Sequence, residues 1–365
     1  MMHNPNKEKN ICIDARALLG SGGIPQYTRH LINNLNSENK KIYLFCNSLH
    51  RLKEFESRFL KVFFRAPNKL FNLSLLLFGF PNINKMIEKR IKNKIDLFLL
   101  PNINFWKSKG DKKIVIAHDL SFAICPKFFN LRDRIWHWII NPKKLYKNSD
   151  LIIAVSNNTK EDLINIFGIN PQKIKVVYPG ISIDAGELQN RKGNYILYLA
   201  NLEPRKNILG LISAYEKCNT GLDLYIAGTG KHKKIIKKRI TKSDKKDKIK
   251  MVGYIRESDK ARLIYESQLF VYPSFYEGFG FPPLEAQILG VPVVASSTSS
   301  MSEVLGDSAL LVNPYNINEI SKAMEDVLNN LELKNRLIEK GWENVKKYSW
   351  EKCAREAGEI INSFL

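Results

Sequence analysis

Residues Leu269–Gln287 read LFVYPSFYEGFGFPPLEAQ, and this stretch predicts a strand, a loop and the start of a helix. The apolar run LFVYPS has the length of a buried strand. The glycines of EGFG let the following loop approach a ligand closely, and the double proline suits the first turn of a helix. A strand followed by a loop and a helix is the repeating unit of an α/β fold.

Two carboxylates flank this loop, eight positions apart: Glu277 in the loop and Glu285 in the first turn of the predicted helix. In one continuous helix such residues would not share a face, but the intervening loop lets both converge on one ligand. Carboxylates are acceptors suited to sugar hydroxyls, and a helix N-terminus favours a phosphate beside them. The alternative is that Glu285 only complements the helix dipole and that Glu277 is a solvated loop residue.

The same unit recurs along the chain, twice over. Near-continuous runs of Ile, Val and Leu are typical of strands that helices cover on both faces. Such runs occur at Asn10–Leu19, Lys41–Asn47, Asp96–Pro101, Lys113–Asp119, Asp150–Ser156 and Lys173–Gly180, and again at Asn194–Ala200, Leu222–Gly230, Ile249–Ile255, Leu269–Ser274, Val291–Ser296 and Ser308–Pro314. The sequence therefore predicts an α/β protein with two doubly wound, Rossmann-like parallel-sheet domains.

The same pattern of apolar runs and polar segments predicts the limits of the domains. Residues 1–10 are polar and are expected to be a disordered lead-in, and residues 11–183 form the first domain. The polar, glycine-containing residues 184–193 are predicted to be a linker. Residues 194–345 form the second domain, and residues 346–365 form a final helix expected to pack back on the first domain.

Composition narrows the class of protein. The 365 residues carry a formal net charge of +21, which favours polyanionic partners such as nucleic acid, anionic lipid or phosphorylated substrates. The longest apolar candidate, Leu70–Phe80, is too short and too interrupted to span a bilayer, and we expect a cytoplasmic protein. The five scattered cysteines form no C-x-x-C pair, so reduced thiols without structural zinc are expected.

A basic pair follows the first strand of the second domain. Arg205 and Lys206 stand at the start of a predicted helix, where two cations beside a helix N-terminus would bind a diphosphate. The alternative is an ordinary basic first turn, which the helix dipole disfavours. In the first domain, Gly20–Tyr27 (GSGGIPQY) is a glycine-rich loop that matches neither the dinucleotide-binding nor the P-loop fingerprint.

Several motifs together resemble family 4 of the retaining glycosyltransferases, which have the GT-B fold of two Rossmann-like domains facing across a cleft. The resemblance extends from Ile11 to about Trp350. The segments that carry it are AHDLSF (Ala117–Phe122), AVSNNTKEDL (Ala154–Leu163), EPRKN (Glu203–Asn207), EGFGFPPLEA (Glu277–Ala286) and SEVLGDSALLVNP (Ser302–Pro314). It implies that the second domain binds a nucleotide-diphosphate sugar and that the first domain binds the acceptor.

The resemblance also implies roles for the second-domain residues. Arg205 and Lys206 would neutralise the diphosphate leaving group. Glu277 would bond sugar hydroxyls, and Glu285 would hold the ribose. The charge that develops on a departing diphosphate can be stabilised by such cations, so the implied reaction is a retaining transfer without a metal or other cofactor.

Backbone groups and the first domain complete the implied site. The backbone amides around Gly278, Phe279 and Gly280 would face the sugar and phosphate, and the loop at Gly22 and Gly23 would border the donor phosphates. His118 would line the sugar and acceptor side, although an isolated histidine after a strand is more often a structural residue. For Glu303 the resemblance implies only a role in shaping the cleft.

Arg205 and Lys206 are adjacent, and in this respect the sequence resembles the mannosyl- and deoxyhexosyltransferases of bacterial surface polysaccharide assembly, such as O-antigen and capsule. The implied donor is GDP-mannose, with a UDP-sugar or a GDP-deoxyhexose as alternatives, and the implied acceptor is a glycan or a polyprenyl-diphosphate-linked glycan. A non-catalytic sugar-nucleotide binding protein would keep the same cations and Glu285.

Two basic segments leave the question of a surface partner open. Lys231–Lys250 carries no interleaved aromatic residues, so nucleic-acid binding is not expected; a solvated helix and loop, or contact with an anionic membrane, remain. Arg58–Phe78 mixes bulky apolar and basic residues as an interfacial membrane segment does, and fits a core segment of the first domain equally well.

Overall fold

The structure is a computed structural model. It describes residues 8–20, 22–35, 39–48, 59–106, 110–186, 188 and 193–365 of the chain. Of the predicted lead-in, residues 1–7 lie outside the described residues, whereas Lys9 and Asn10 already belong to the first strand. Of the predicted linker, residues 187 and 189–192 also lie outside them.

The first domain contains a seven-stranded parallel sheet in the order β3-β2-β1-β4-β5-β6-β7. Its strands are β1 (Lys9–Asp14), β2 (Lys40–Asn47), β3 (Leu60–Phe64), β4 (Leu97–Leu100), β5 (Lys113–Ala117), β6 (Leu151–Ala154) and β7 (Ile174–Val176). Every residue of β4, β5 and β6 is buried, which is why these strands are continuous apolar runs in the sequence.

Helices cover both faces of this sheet. They are α1 (Gly23–Asn34), α2 (Asn68–Leu77), α3 (Ile83–Ile91), α4 (Ser121–Ile124), α5 (Leu131–Ile140), α6 (Pro142–Lys147) and α7 (Asn157–Phe167). The strand order reverses around β1, which pairs with both β2 and β4. In such a sheet the ligand-binding crevice opens at the carboxyl ends of the strands beside the reversal.

The first strand ends earlier in the structure than the sequence predicts. Residues Ala15–Leu19 form a 3₁₀-helical turn instead of continuing β1. The carboxylate of Asp14 accepts hydrogen bonds from the backbone amide of Arg16 at 3.1 Å and from its guanidinium at 2.7 Å. These bonds stabilise a turn at the point where the apolar pattern alone predicts an extended chain.

The second domain contains a six-stranded parallel sheet in the order β10-β9-β8-β11-β12-β13. Its strands are β8 (Tyr195–Leu199), β9 (Asp223–Ala227), β10 (Ile249–Gly253), β11 (Leu269–Tyr272), β12 (Val293–Ser296) and β13 (Leu310–Val312). Its helices are α8 (Ile208–Lys217), α9 (Lys233–Ile240), α10 (Glu257–Tyr265), α11 (Phe281–Ile288), α12 (Ser300–Leu305), α13 (Ile317–Asn329) and α14 (Leu331–Val345). The prediction of two doubly wound parallel-sheet domains is confirmed.

The last helix, α15 (Trp350–Phe364), packs against α1 of the first domain. The indole of Trp350 stacks on the imidazole of His30, with ring centroids 4.5 Å apart. Near its end, the backbone carbonyl of Phe364 accepts a hydrogen bond from Nζ of Lys112 at 2.9 Å. The chain thus enters the second domain once and then returns to the first.

The segment Arg58–Phe78 holds an edge strand and a helix. Its described part forms β3, which the sequence did not predict, and α2. Val62, Phe71 and Leu75 are buried, and five large apolar side chains are exposed: Leu60, Leu70, Leu73, Leu77 and Phe78. One side of the segment is core, as the second interpretation expects. The other side faces solvent, and its contact with a membrane stays a prediction.

The remaining expectations concern thiols and the membrane. All five cysteines are free, and four of them are buried. Among the residues that the structure describes, no helix combines the length and the apolar composition that crossing a bilayer requires.

Candidate active site

The candidate site lies where the carboxyl ends of the two sheets face each other. The loop after β11 carries Glu277, and the loop after β8 carries Arg205 and Lys206. From the first domain, the loop after β5 contributes His118, and Gly22 and the start of α1 contribute the glycine-rich loop. Parallel strands place these loops at one edge of each sheet, which is why residues far apart in sequence meet.

Glu277 is the centre of a buried ionic network. Its Oε1 accepts a hydrogen bond from Nζ of Lys206 at 2.5 Å, and its Oε2 accepts one from Arg205 at 3.0 Å. Nζ of Lys206 also donates to the hydroxyl of Tyr272 at 2.6 Å, and the backbone amide of Glu277 donates to Oγ of Ser299 at 2.8 Å. These bonds hold the carboxylate in one orientation.

The two cations are not equivalent. They lie in a 3₁₀ turn, Pro204–Lys206, just before α8. The side chain of Lys206 is only 7% exposed, whereas that of Arg205 is 17% exposed. Arg205 also binds the carboxylate of Glu203 at 3.0 Å and the backbone carbonyl of Tyr276 at 3.1 Å. Lys206 therefore mainly orients Glu277, and Arg205 is the cation that reaches the cleft.

The charges of the network set its protonation. Burial by itself raises the pKa of Glu277, but Lys206 and Arg205 outweigh burial and lower that pKa to about 2. Glu277 is therefore ionised at neutral pH. Burial by itself lowers the pKa of Arg205. Glu277, Asp119 and Glu203 outweigh burial and raise that pKa above its ordinary value.

Glu285 has a different environment. The prediction that it lies in the first turn of its helix is wrong: α11 begins at Phe281, so Glu285 belongs to the second turn. It is buried, its Oε1 pairs with Nζ of Lys260 from α10, and its Oε2 has no hydrogen-bond partner among the described residues. Burial raises its pKa, and Lys260 only partly opposes this effect. A buried carboxylate oxygen without a partner can accept a hydroxyl donor from a ligand.

The glycines of the loop after β11 are required by a close backbone contact at Gly278 and by a positive φ at Gly280. A Cβ on Gly278 would lie 1.9 Å from the backbone oxygen of His118 in the first domain. Gly280 has a φ of +99°, and a Cβ there would lie 2.1 Å from Cε of Met301. Between them, the side chain of Phe279 is buried against Phe281. Phe279 can therefore offer a ligand only its backbone.

His118 is neutral and fixed. Burial lowers its pKa. Its Nε2 lies 2.7 Å from the backbone oxygen of Pro101, and because a carbonyl oxygen can only accept, Nε2 carries the proton. Nδ1 is then the hydrogen-bond acceptor of the ring. Tyr27 packs edge-on to the imidazole, with ring centroids 4.9 Å apart.

The glycine-rich loop faces the second domain. Gly22 has a φ of +97° and precedes α1, and its nearest side-chain neighbour across the cleft is Asn201. A Cβ on Gly23 would lie 3.5 Å from the ring of Phe281, the first residue of α11. Gly22 and Gly23 thus border the side of the cleft that holds α11, and their role in binding the donor stays a prediction.

The structure also identifies residues that sequence reasoning missed or underrated. Lys260 carries no motif, and only the fold shows that it pairs with Glu285. Glu303 accepts hydrogen bonds from the backbone amides of Asn157 and Asn158, at 2.7 and 2.9 Å, and from the hydroxyl of Tyr178 at 2.7 Å. Glu303 therefore joins the domains at the N-terminus of α7.

Comparison with known proteins identifies the family. The model described as "Glycosyltransferase Family 4" matches residues 21–185, and the model described as "Glycosyl transferases group 1" matches residues 182–343. The O-antigen chain mannosyltransferase B of Escherichia coli is 28% identical over 271 residues, which cover 70% of this chain and 70% of that protein.

Solved structures agree on the fold. Sucrose-phosphate synthase from Thermosynechococcus elongatus superposes with a TM-score of 0.77 at 17% identity, over 97% of this chain and 98% of that one. Anabaena HepE, in a complex with UDP and glucose, superposes with a TM-score of 0.74 at 16% identity, over 98% of this chain and 100% of that one. The two-domain architecture is that of the GT-B glycosyltransferases. With a family 4 domain at residues 21–185 and a group 1 domain at residues 182–343, the chain belongs to the glycosyltransferases.

Proposed function

We propose that this protein transfers a hexose, with retention of configuration and without a metal, from a nucleotide-diphosphate sugar to a glycan or lipid-linked acceptor in cell-surface polysaccharide synthesis. The observation that carries the proposal is the network of Glu277, Lys206 and Arg205 at the facing ends of the two sheets. It offers a fixed carboxylate for sugar hydroxyls beside a cation for a leaving phosphate.

The proposed donor is GDP-mannose. Its support is the similarity to an O-antigen mannosyltransferase of Escherichia coli, which is named for mannose transfer. A UDP-sugar is the second candidate, because the structurally similar Anabaena HepE binds UDP and glucose. A GDP-deoxyhexose fits the same set of cations.

The proposed reaction assigns a role to each charged group. The bond between the anomeric carbon and the β-phosphate oxygen breaks, and a bond from the acceptor oxygen to that carbon forms on the same face. The acceptor proton passes to the departing phosphate oxygen. Arg205 stabilises the charge that develops on the diphosphate. Glu277 cannot donate a proton, because its low pKa keeps it ionised, so we assign it to binding the sugar hydroxyls.

We further propose that the protein acts at the cytoplasmic face of a membrane, where lipid-linked acceptors lie. Apolar side chains are exposed on α2 and on α5, where Leu131, Ile135 and Trp138 recur at helical spacing. Arg132 and Arg134 flank them on the same helix. Together with a net charge of +21, this surface suits anionic lipid better than nucleic acid.

The deciding experiment measures thermal unfolding with GDP, UDP, ADP and their common sugar conjugates, followed by a transfer assay with the conjugate that stabilises most. A ligand at about a hundredfold its Kd adds roughly 2.7 kcal/mol to the folded state. A shift with GDP and GDP-mannose supports the proposed donor, and a shift with the UDP compounds replaces it. Binding without transfer or donor hydrolysis would indicate a sugar-nucleotide binding protein, and no shift with any nucleotide would overturn the proposal.

A further inference from the structure

A cavity of about 240 Å³ opens on the first-domain side of the cleft. Residues of the charged network form only one of its walls. Asn102, His118 and Asp119 lie on one side of it, and Glu203 and Arg205 lie on the side of the second domain. The remaining wall is aromatic and comes from the segment between Ser121 and Ile140, which contains α4 and α5. We infer that this cavity binds the terminal pyranose ring of the acceptor, with Phe129 and Trp136 as its stacking wall.

The aromatic wall is built around His137. Phe122 stacks on the imidazole, with ring centroids 4.6 Å apart and planes 9° apart. Phe129 and Trp136 stand nearly perpendicular to it, at 5.5 and 5.0 Å. These ring contacts orient Phe129 and Trp136, and Trp136 is itself 39% exposed, so part of its ring is open to a ligand. Rigid aromatic side chains lose little conformational entropy when a ligand binds, which favours them as contact surfaces.

The size of the cavity restricts its ligand. It lies below the range of about 300 to 1,000 Å³ that is typical of pockets for drug-sized ligands. One sugar ring matches this space better than an oligosaccharide or a nucleotide does. A pyranose has one face of C–H groups, which can lie on an aromatic ring, and hydroxyls at its edge, which need polar partners.

The charges of the cavity exclude a phosphate. Asp119 and Glu203 are both in its lining, and the proposed reaction already assigns Arg205 to the diphosphate of the donor. Among the described residues that line the cavity, Arg205 is the one arginine or lysine, so carboxylates outnumber such cations. A neutral sugar is therefore favoured, and the diphosphate of a lipid-linked acceptor must lie outside the cavity.

The position of the cavity connects it to the reaction. His118 and Arg205 lie in its lining, so a ring bound there is next to the groups that face the donor. The neutral His118, with its proton on Nε2, offers Nδ1 as an acceptor for a hydroxyl of that ring. The aromatic segment also contacts the second domain, since Phe128 stacks on Phe275 at 5.4 Å and Asp133 pairs with Lys231 at 2.6 Å.

This inference rests on the proposed function, and its test separates the two. Saturation-transfer NMR is recorded in the presence of the nucleotide that stabilises the protein, with methyl α-D-mannopyranoside, methyl α-D-glucopyranoside, methyl α-D-galactopyranoside and methyl N-acetyl-β-D-glucosaminide as probes. We expect at least one pyranoside to bind. Trp136→Ala and Phe129→Ala are each expected to weaken that binding about three- to tenfold, while the thermal shift produced by the nucleotide stays unchanged.

Trp138→Ala is the matched control, because Trp138 lies on the same helix, is 82% exposed and is absent from the cavity lining. It should leave pyranoside binding unchanged. The inference is overturned if no pyranoside binds to a protein that still binds the nucleotide, or if Trp136→Ala and Trp138→Ala have equal effects. Loss of nucleotide binding in the unaltered protein would instead contradict the proposed function.

Discussion

Glu303 in the second domain binds Asn157 in the first through both the backbone amide and the side-chain amide, at 2.7 and 3.0 Å. Asn157 is the first residue of α7, so the carboxylate sits at the positive end of that helix dipole. A carboxylate of the second domain thus caps a helix of the first, and it adds to other contacts between the domains, such as Ser156 with Gly278 and Tyr276 with Asp162. At the same domain boundary, Gly278 lies against the backbone of His118.

Glu303→Gln should favour a more open arrangement of the domains. The amide keeps one acceptor oxygen but loses the negative charge, which is worth about 0.3 to 2 kcal/mol at a helix N-terminus. Small-angle X-ray scattering of the free protein is expected to show a larger radius of gyration. Glu319→Gln is the control, because Glu319 lies in the first turn of α13 within one domain. An equal radius in both variants would contradict the closure role of Glu303.

Arg205→Ala should lose most transfer activity while the fold stays intact. A charge-assisted contact to a desolvated diphosphate is worth roughly 1.5 to 3 kcal/mol, which corresponds to a loss of kcat/KM of about 10- to 150-fold. Steady-state transfer assays measure the loss, and circular dichroism checks the fold. Arg355, an exposed arginine on α15, provides the control substitution Arg355→Ala. Turnover unchanged by Arg205→Ala would refute the leaving-group role.

Glu277 should make the free energy of unfolding depend on pH in the acidic range. Its pKa is about 2 in the folded protein against an ordinary value of 4.5, so its stabilising contribution is complete above about pH 4.5 and is lost as the pH falls toward 2. A difference of this size corresponds to the order of 3 kcal/mol. Urea unfolding at pH 7, 4.5 and 3 should show a smaller loss of stability in Glu277→Gln than in the unaltered protein. Parallel pH profiles would contradict the ionic network.

The two carboxylates should separate nucleotide from sugar recognition. Glu285→Ala is expected to weaken the free nucleotide and the sugar nucleotide alike, because its buried oxygen is assigned to the ribose. Glu277→Ala should weaken mainly the sugar nucleotide, because its carboxylate is assigned to sugar hydroxyls. Isothermal titration of each variant with the diphosphate and with the sugar conjugate measures both effects. Equal losses for both ligands in both variants would refute this division.

The sequence predicts most of the fold because burial leaves a local signal. The strands β4, β5 and β6 are covered on both faces and are therefore uninterrupted apolar runs. The edge strand β3 is half exposed, so Leu60–Phe64 carries a mixed pattern that does not distinguish a strand from an interfacial segment. Element ends were less predictable, as the early start of α11 shows.

For the candidate site, the sequence predicts residue types but not their pairing. The motifs indicate Glu277, Arg205 and Lys206 as candidate site residues, but nothing local shows that the cations bind this carboxylate across 71 and 72 positions of sequence. Lys260, 25 residues before Glu285, has no local signal either. Such contacts depend on the packing of distant loops, which periodicity and composition do not encode.

The return of α15 to the first domain has a consequence for exchanging parts between related enzymes. A cut within the linker does not release two self-contained halves, because α1 would lose the cover that Trp350 provides for Tyr27 and His30. A second domain taken from a relative must therefore be inserted between the body of the first domain and this helix. The first domain is thus built from two separate stretches of the chain, one before and one after the second domain.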